Sequence, residues 1–475
     1  SSASKPSGAN FGPMARKSLG KATPCGCNAL LSLFNHWHPV MTSLTRIGLR
    51  TLSQMAGSPT LDRLGMRKTT EKVLYHGTKN GFRAVIAASR AFKAIKNLGQ
   101  PERLPKRGAA DLFDLTPTDD QAMIVEAMRS FAMEQLRPAA LKADDDYAAP
   151  AELLAQCAEL GVASMGIPEQ LDGVGVERSS VTNALIAQAL AEGDMGLAFA
   201  CLAPAAVSTA ISQWGTAQQQ ATYLSAFTGD KPPAAALAIQ EPQPLFDPFE
   251  LQTRAKLVNG QYVINGVKAM VPLANTAELF VIAANIEGHG PGLLVVESST
   301  AGLSLEEDIS MGLRAASCAR LHLKDVSVPA SALLGEGKAE VYAECIHLSR
   351  LGWCALAVGC AQAVMDYLVP YVNEREAFGE PISHRQSVAF ALSNMAIELD
   401  GMKLLTWRAA SLADADRPFA EAAALARRLC ADKGMQIGSD GVQLLGGHGF
   451  VKEHPAERWY RDLRAVALME GGVLL

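Results

Sequence analysis

Charge is in short supply and unevenly shared. Charged residues are 19% of the chain and aromatics 6%, against 49% hydrophobic, which excludes a disordered polyelectrolyte and favours a chain that buries a core. The first 108 residues hold only three acids (Asp62, Glu71, Glu102) against 18 Lys and Arg, a balance of +15; the rest carries −20. A basic arm on an acidic body implies an anionic partner or docking of the arm onto its own body. No uninterrupted apolar run reaches the roughly 18 residues that a membrane-spanning helix needs. Nine cysteines are scattered, and only Cys25 and Cys27 are close-set, so neither a zinc framework nor a disulfide scaffold is indicated. Buried free thiols in a reducing compartment are the expectation.

At 475 residues the chain is long for one domain. Residues 1–13 read as a flexible lead or an expression scar, with Met14 as a natural start. Residues 68–96 alternate apolar and basic positions as a basic amphipathic helix does, suited to an anionic membrane surface or to packing on the body. A Pro/Gly/Arg-rich linker closes this arm, assigned to residues 1–112. Residues 113–235 read as helices, opening at Thr116-Pro117-Thr118-Asp119, with a long Ala/Leu helix over 179–200 and a further segment over 204–227. Residues 236–335 hold short β-branched runs with turn signals at Asn259-Gly260 and Asn265-Gly266, which predicts a small antiparallel barrel or sandwich. From Ala339 the helical period returns, in a domain assigned to 336–475, with helices expected over 350–378, 386–412 and 419–444.

Two stretches stand out chemically. Near the C-terminus, Gln443-Leu444-Leu445-Gly446-Gly447-His448-Gly449-Phe450 would let a backbone approach a ligand closely. Glu470 sits alone among Ala465, Val466, Leu468 and Met469, where burial raises a carboxyl pKa and strengthens the base. The plain alternative is a glycine-punctuated helix–loop–helix with a solvated glutamate. Upstream lies Arg375-Glu376-Ala377-Phe378-Gly379, then Gln386.

In this order, Q-x-x-G-G-x-G-F, R-D (Arg461-Asp462) and E-G (Glu470-Gly471), with R-x-x-F-G and Gln386 before them and Asp325-Val326-x-Val328-Pro329 closing the β region, the chain resembles the acyl-CoA dehydrogenase family over roughly residues 113–472. The resemblance implies an α+β architecture: an N-terminal helical domain, a middle antiparallel β-domain and a C-terminal four-helix bundle. It implies FAD as cofactor. It makes Glu470 the base that takes the α-proton of a fatty acyl-CoA, with its own main-chain N–H and a ribityl hydroxyl of the flavin polarising the thioester carbonyl. Gln443, Gly446 and Gly447 would hold the FAD pyrophosphate. Arg375, Phe378 and Gln386 would grip the same cofactor from a neighbouring subunit, hence a homodimer or homotetramer. Gly471 allows a close turn at the substrate. Arg350 matches an arginine beginning the helix beneath the site; the alternative is an exposed cation at a helix start.

The match fails on the ring side of the flavin. Gln240 stands where relatives place a threonine at the flavin pyrimidine, and Phe246 where they place a serine near the substrate. Met270 replaces a shielding aromatic, and Pro272 a residue with a hydroxyl and an N–H. The threonine expected after E-G is Gly472, and the chain stops three residues later, where the resemblance implies another helix. The function implied is α,β-dehydrogenation of a medium- or long-chain acyl-CoA to trans-2-enoyl-CoA in β-oxidation, with electrons passed to an electron-transfer flavoprotein. Two alternatives stay open: an acyl-CoA oxidase, and a catalytically impaired member binding membrane or nucleic acid through its arm. The arm resembles in role the membrane-contacting part of very-long-chain members, so the location implied is cytoplasmic, peripheral to the inner membrane, or the mitochondrial matrix in a eukaryote.

Overall fold

The computed structural model describes residues 115–470, apart from 172, 174–178 and 230. The basic arm, its expected membrane contact, the Cys25/Cys27 pair and Gly471 and Gly472 lie outside the described residues.

The first helices obey their start signals. Helix α1 (Asp119–Phe131) begins in a capping box: the Thr118 hydroxyl accepts the Gln121 N–H, and the Gln121 side chain accepts the Thr118 N–H. A π-helical turn, Ala132–Leu136, joins it to α2 (Arg137–Asp146), and α3 (Ala151–Glu159) follows. The helix expected over 179–200 is two: α4 (Ser180–Gly193) and α5 (Met195–Trp214). Asp194 breaks the run because its backbone is extended and its carboxylate caps α5, accepting the Leu197 N–H at 3.0 Å. Pro204, read as a start, lies inside α5. Helix α6 (Ala217–Phe227) opens on a second capping box at Thr216.

Seven strands follow: β1 (Ala235–Ala238), β2 (Arg254–Val258), β3 (Gln261–Val271), β4 (Leu279–Ile286), β5 (Gly290–Glu297), β6 (Leu303–Glu307) and β7 (Ala319–Pro329). They form one sheet in the order β1-β4-β2-β3-β7-β6, with β5 on β4. The pairing is antiparallel except that β1 and β2 run parallel to β4, so the expected all-antiparallel sheet is a mixed one. Asn259-Gly260 makes the β2–β3 hairpin with both residues at positive φ. Asn265-Gly266 makes no turn. It is a bulge within β3, where Gly266 at φ 155° lies so close to Thr253 that a Cβ could not fit. Alternate residues of β4 serve two apolar layers: Phe280 and Ile282 face one, Val281 and Ala283 the other, shared with α5, α6 and the helix after the sheet.

That helix, α7 (Ala339–Glu374), begins eleven residues before the expected start at Arg350 and ends four before Phe378. It packs with α4, α8 (Gln386–Asp414) and α9 (Ala420–Leu445), and α10 (Ala456–Leu463) caps the bundle. A short hairpin, β8 (Glu376–Ala377) with β9 (Glu380–Pro381), separates α7 from α8. At the crossing of α7 with α4, a Cβ on Gly359 would stand 2.2 Å from the Gln188 carbonyl oxygen, so only glycine permits that approach. Contrary to expectation, α5 and α7 are long and apolar enough to cross a membrane by length and composition; the most apolar stretch of each is mostly buried in this fold.

Candidate active site

Four elements meet around Glu470, which closes the described chain. Its backbone has φ 49°, a left-handed conformation costing a side-chain-bearing residue about 1–2 kcal/mol. Three polar contacts hold it there. The Glu470 N–H donates to Gln240 Oε1 at 3.0 Å. Its carbonyl oxygen accepts from Arg350 Nε and Nη2 at 3.2 and 2.8 Å. The carbonyl one residue earlier, on Met469, accepts from Arg427 Nη2 on α9.

Glu470 is 5% exposed, and its buried Oε2 has no hydrogen-bond partner among the described residues. Burial raises its pKa. The Arg427 charge, the Ser349 hydroxyl, the Arg350 charge and the Trp353 indole pull the other way. Ser349 and Trp353 lie one helical turn apart on α7, flanking Arg350, and so meet the carboxyl from one side. Trp353 also packs against Phe199 of α5, with ring centroids 4.7 Å apart and the ring planes tilted by 49°.

Glu470 lines an apolar cavity of about 250 Å³ whose walls include Gln240, Met270, Pro272, Phe199 and Trp353. Met270 has φ 51°, and its N–H donates to Asp308 Oδ2 at 2.9 Å; Asp308 in turn pairs with Arg320. The segment bearing Gln240 is pinned from below. The Glu241 carboxylate accepts from the N–H groups of Gln252 and Thr253 and from Lys268 Nζ at 2.8 Å, and the Ala269 N–H donates to the Gln240 carbonyl.

The structure thus gathers Glu470, Gln240, Met270, Pro272 and Arg350. Arg350 is half-buried in the twelfth position of α7, not an exposed helix-start cation. Phe246 does not join them. It is 3% exposed in the apolar layer between sheet and helices and is absent from the cavity wall, so its apolar ring serves packing rather than a substrate contact.

The remaining residues collect at the far end of the bundle. Arg375 caps α7, Phe378 stands at the β8–β9 tip with 98% of its surface exposed, and Gln386 opens α8. Gln443 lies exposed in the last turn of α9, and Gly446 follows it at φ 60°, ψ −133°, where glycine alone is at ease. Tyr371 Oη donates to the Leu445 carbonyl at 3.5 Å, bringing the ends of α7 and α9 together. Arg350 and Arg375 are 25 residues apart on one continuous helix, roughly 37 Å at 1.5 Å per residue. One chain therefore does not bring its glycine turn to its own Glu470.

Sequence reasoning passed over Ser349, Trp353, Arg427 and Asp308. Arg427 left a readable trace: it falls on the same buried stripe of α9 as Ala423, Ala426 and Cys430, where an arginine needs a reason.

Comparison with known proteins gives the same frame. Residues 118–230, 236–326 and 339–472 match the models of the acyl-CoA dehydrogenase N-terminal, middle and C-terminal domains. The mouse mitochondrial short-chain specific acyl-CoA dehydrogenase is 33% identical over 362 residues, covering 74% of this chain and 86% of that protein. The structure of butyryl-CoA dehydrogenase from Megasphaera elsdenii superposes with a TM-score of 0.71 at 27% identity, covering 76% of this chain and 97% of that one. A structure described as the electron transferring flavoprotein of Acidaminococcus fermentans gives 0.71 at 29%, with the same coverage. The chain belongs to the acyl-CoA dehydrogenase family, the FAD-dependent oxidoreductases that act on CH–CH bonds of acyl-CoA thioesters.

Proposed function

We propose that the chain converts a medium- or long-chain fatty acyl-CoA to its trans-2-enoyl-CoA, with Glu470 as the base. The observation that carries this reading is the Glu470 carboxyl itself: buried, with one oxygen unpartnered, at the wall of an apolar cavity. A carboxylate so placed abstracts a weakly acidic proton from a substrate that excludes water around it. Arg350 and Arg427 hold the strained backbone beneath it, and Ser349 and Trp353 orient the oxygen that does not face the substrate.

The residues fit FAD. A Cβ on Gly446 or Gly447 would project into open space, so nothing stands between that backbone and a phosphate, and the Arg375 side chain is exposed nearby. Arg375, Phe378, Gln386, Gln443, Gly446 and Gly447 would hold its ADP half, while Gln240, Met270 and Pro272 would wall the ring. Bound FAD supplies the acceptor for the hydride that leaves Cβ. Since the two residue sets are too far apart for one dinucleotide, a homodimer or homotetramer would complete each site from two copies.

The cavity indicates the length of the acyl chain. Its wall follows α5 from Phe199 to Trp214, fifteen residues or roughly 22 Å, a run suited to more carbons than butyryl, although relatives include short-chain and butyryl enzymes. An electron-transfer flavoprotein is the proposed acceptor, in keeping with the Acidaminococcus structure. Given mitochondrial relatives, the mitochondrial matrix is the proposed location in a eukaryote. The test is anaerobic addition of butyryl-, octanoyl- and palmitoyl-CoA to the purified flavoprotein. Fastest bleaching of the flavin band with octanoyl- or palmitoyl-CoA supports the reading. Fastest bleaching with butyryl-CoA overturns the chain length, and no bleaching with any of the three overturns the activity.

A further inference from the structure

The contact between Gln240 and Glu470 leaves a hydrogen-bond donor over. A main-chain N–H can donate only to the oxygen of a side-chain amide, so the 3.0 Å bond from the Glu470 N–H fixes which way the Gln240 amide is turned. Its –NH2 group then stands on the other branch, with no hydrogen-bond partner among the described residues. Gln240 and Glu470 both line the cavity. The Gln240 backbone is fixed by the Ala269 N–H and by the buried Glu241–Lys268 pair beside it, so the amide is held in advance of any ligand.

A thioester α-proton leaves only if the carbonyl oxygen is stabilised as charge moves onto it. Of the two donors that the family resemblance assigns to this task, the Glu470 N–H and a ribityl hydroxyl of the flavin, the first is engaged in this chain. We propose that Gln240 is a catalytic residue: its Nε2–H donates to the thioester carbonyl of the bound acyl group in place of the Glu470 N–H. In this step the α C–H bond breaks and the proton passes to Glu470 Oε2. The electron pair forms the Cα–C double bond, and the carbonyl π pair moves to the oxygen facing Gln240. The inference rests on the acyl-CoA reading above.

The experiment uses the holoenzyme with 3-thiaoctanoyl-CoA labelled with carbon-13 at the carbonyl. Sulfur in place of the β-carbon forbids hydride loss, so the flavin stays oxidised. Two quantities are read: the infrared displacement of the labelled carbonyl on binding, and exchange of the α-hydrogens with deuterium oxide. Exchange is read on its alkaline plateau, where Glu470 is ionised and a shift in its pKa does not enter. Gln240→Glu keeps an acceptor for the Glu470 N–H and removes the donor. The expected result is loss of most of the displacement and a plateau exchange slower by about 10²–10³-fold, the effect of deleting one such donor. A variant that retains both overturns the assignment. Gln240→Met, neutral and of similar size, carries the same infrared test if the glutamate variant does not fold. If the wild type neither exchanges nor displaces the carbonyl, the acyl-CoA reading falls; if it does both and the variants match it, only Gln240's part falls.

Discussion

At the scale of one residue, Glu470 concentrates two costs, a left-handed backbone and a buried carboxyl, and three hydrogen-bonded contacts hold it in place. Because burial raises its pKa above that of the unfolded chain, the ionised form is the less stable one in the folded state. The sign follows. Its contribution to stability is fully present below the unfolded pKa and declines as pH rises through the folded one. Glu470→Gln removes that dependence. It is expected to retain flavin, to lose flavin reduction by an acyl-CoA, and to melt higher than wild type by a margin that grows from pH 5 to pH 8. Calorimetry with the visible spectrum checks this; a margin that shrinks with pH, or reduction at the parent rate, would place the base elsewhere. Arg427 acts on the same equilibrium through its charge. Arg427→Met is expected to move the acid limb of flavin reduction to higher pH, with Arg427→Lys restoring part of the shift; an unmoved limb in Arg427→Met would reduce Arg427 to a packing role.

Elements explain why those residues stay in register. Strand β3 and the residue that follows it deliver Met270 and Pro272 to the cavity, and through Lys268 the strand anchors the Gln240 segment from below. Lys268 is fully buried, and burial pulls its pKa down to about 8, yet Glu241 2.8 Å away keeps the pair together. Lys268→Met leaves the Glu241 charge buried without its partner, which costs about 3–5 kcal/mol. Denaturant unfolding would show it, and a loss below about 1 kcal/mol would mean that the three-way anchoring of Glu241 does not depend on the lysine. The three-block order of helix, sheet and helix was legible because hydrophobic period changes from 3.6 to 2 and back. Break points were less so. Nothing in the Ala/Leu run around Asp194 distinguishes a capping aspartate from a surface one until Arg458, 264 residues later, pairs with it. Asn265-Gly266 carries turn chemistry but serves a bulge, since Thr253 on another segment decides the backbone there. The site divides in the same way. Glu470 and the glycine turn are local patterns, whereas Ser349, Trp353 and Arg427 gain their roles only from the faces that α7 and α9 turn toward the last segment.

For the whole molecule, the distance along α7 is decisive. Arg375 and its neighbours stand roughly 37 Å from Arg350, which touches Glu470, so on the proposed residue roles the two halves of one cofactor site would come from different copies. A two-fold assembly satisfies this, because each copy then lends its glycine turn to the other. The exposed Phe378, with the Arg385 guanidinium over its ring at 5.7 Å, is the kind of rigid aromatic tip that such an exchange employs. The expected outcome is complementation between two disabled chains. Glu470→Gln lacks the base but offers an intact Arg375; Arg375→Ala keeps the base and lacks the grip. Each alone should show little flavin reduction by octanoyl-CoA, the first from loss of chemistry and the second from loss of flavin. Coexpressed, mixed pairs hold one site with both groups intact, so random assortment restores roughly a quarter of the sites. Mixing that restores nothing, while each variant remains folded and oligomeric, would mean that every chain grips its own cofactor and that α7 does not separate the two halves of the site.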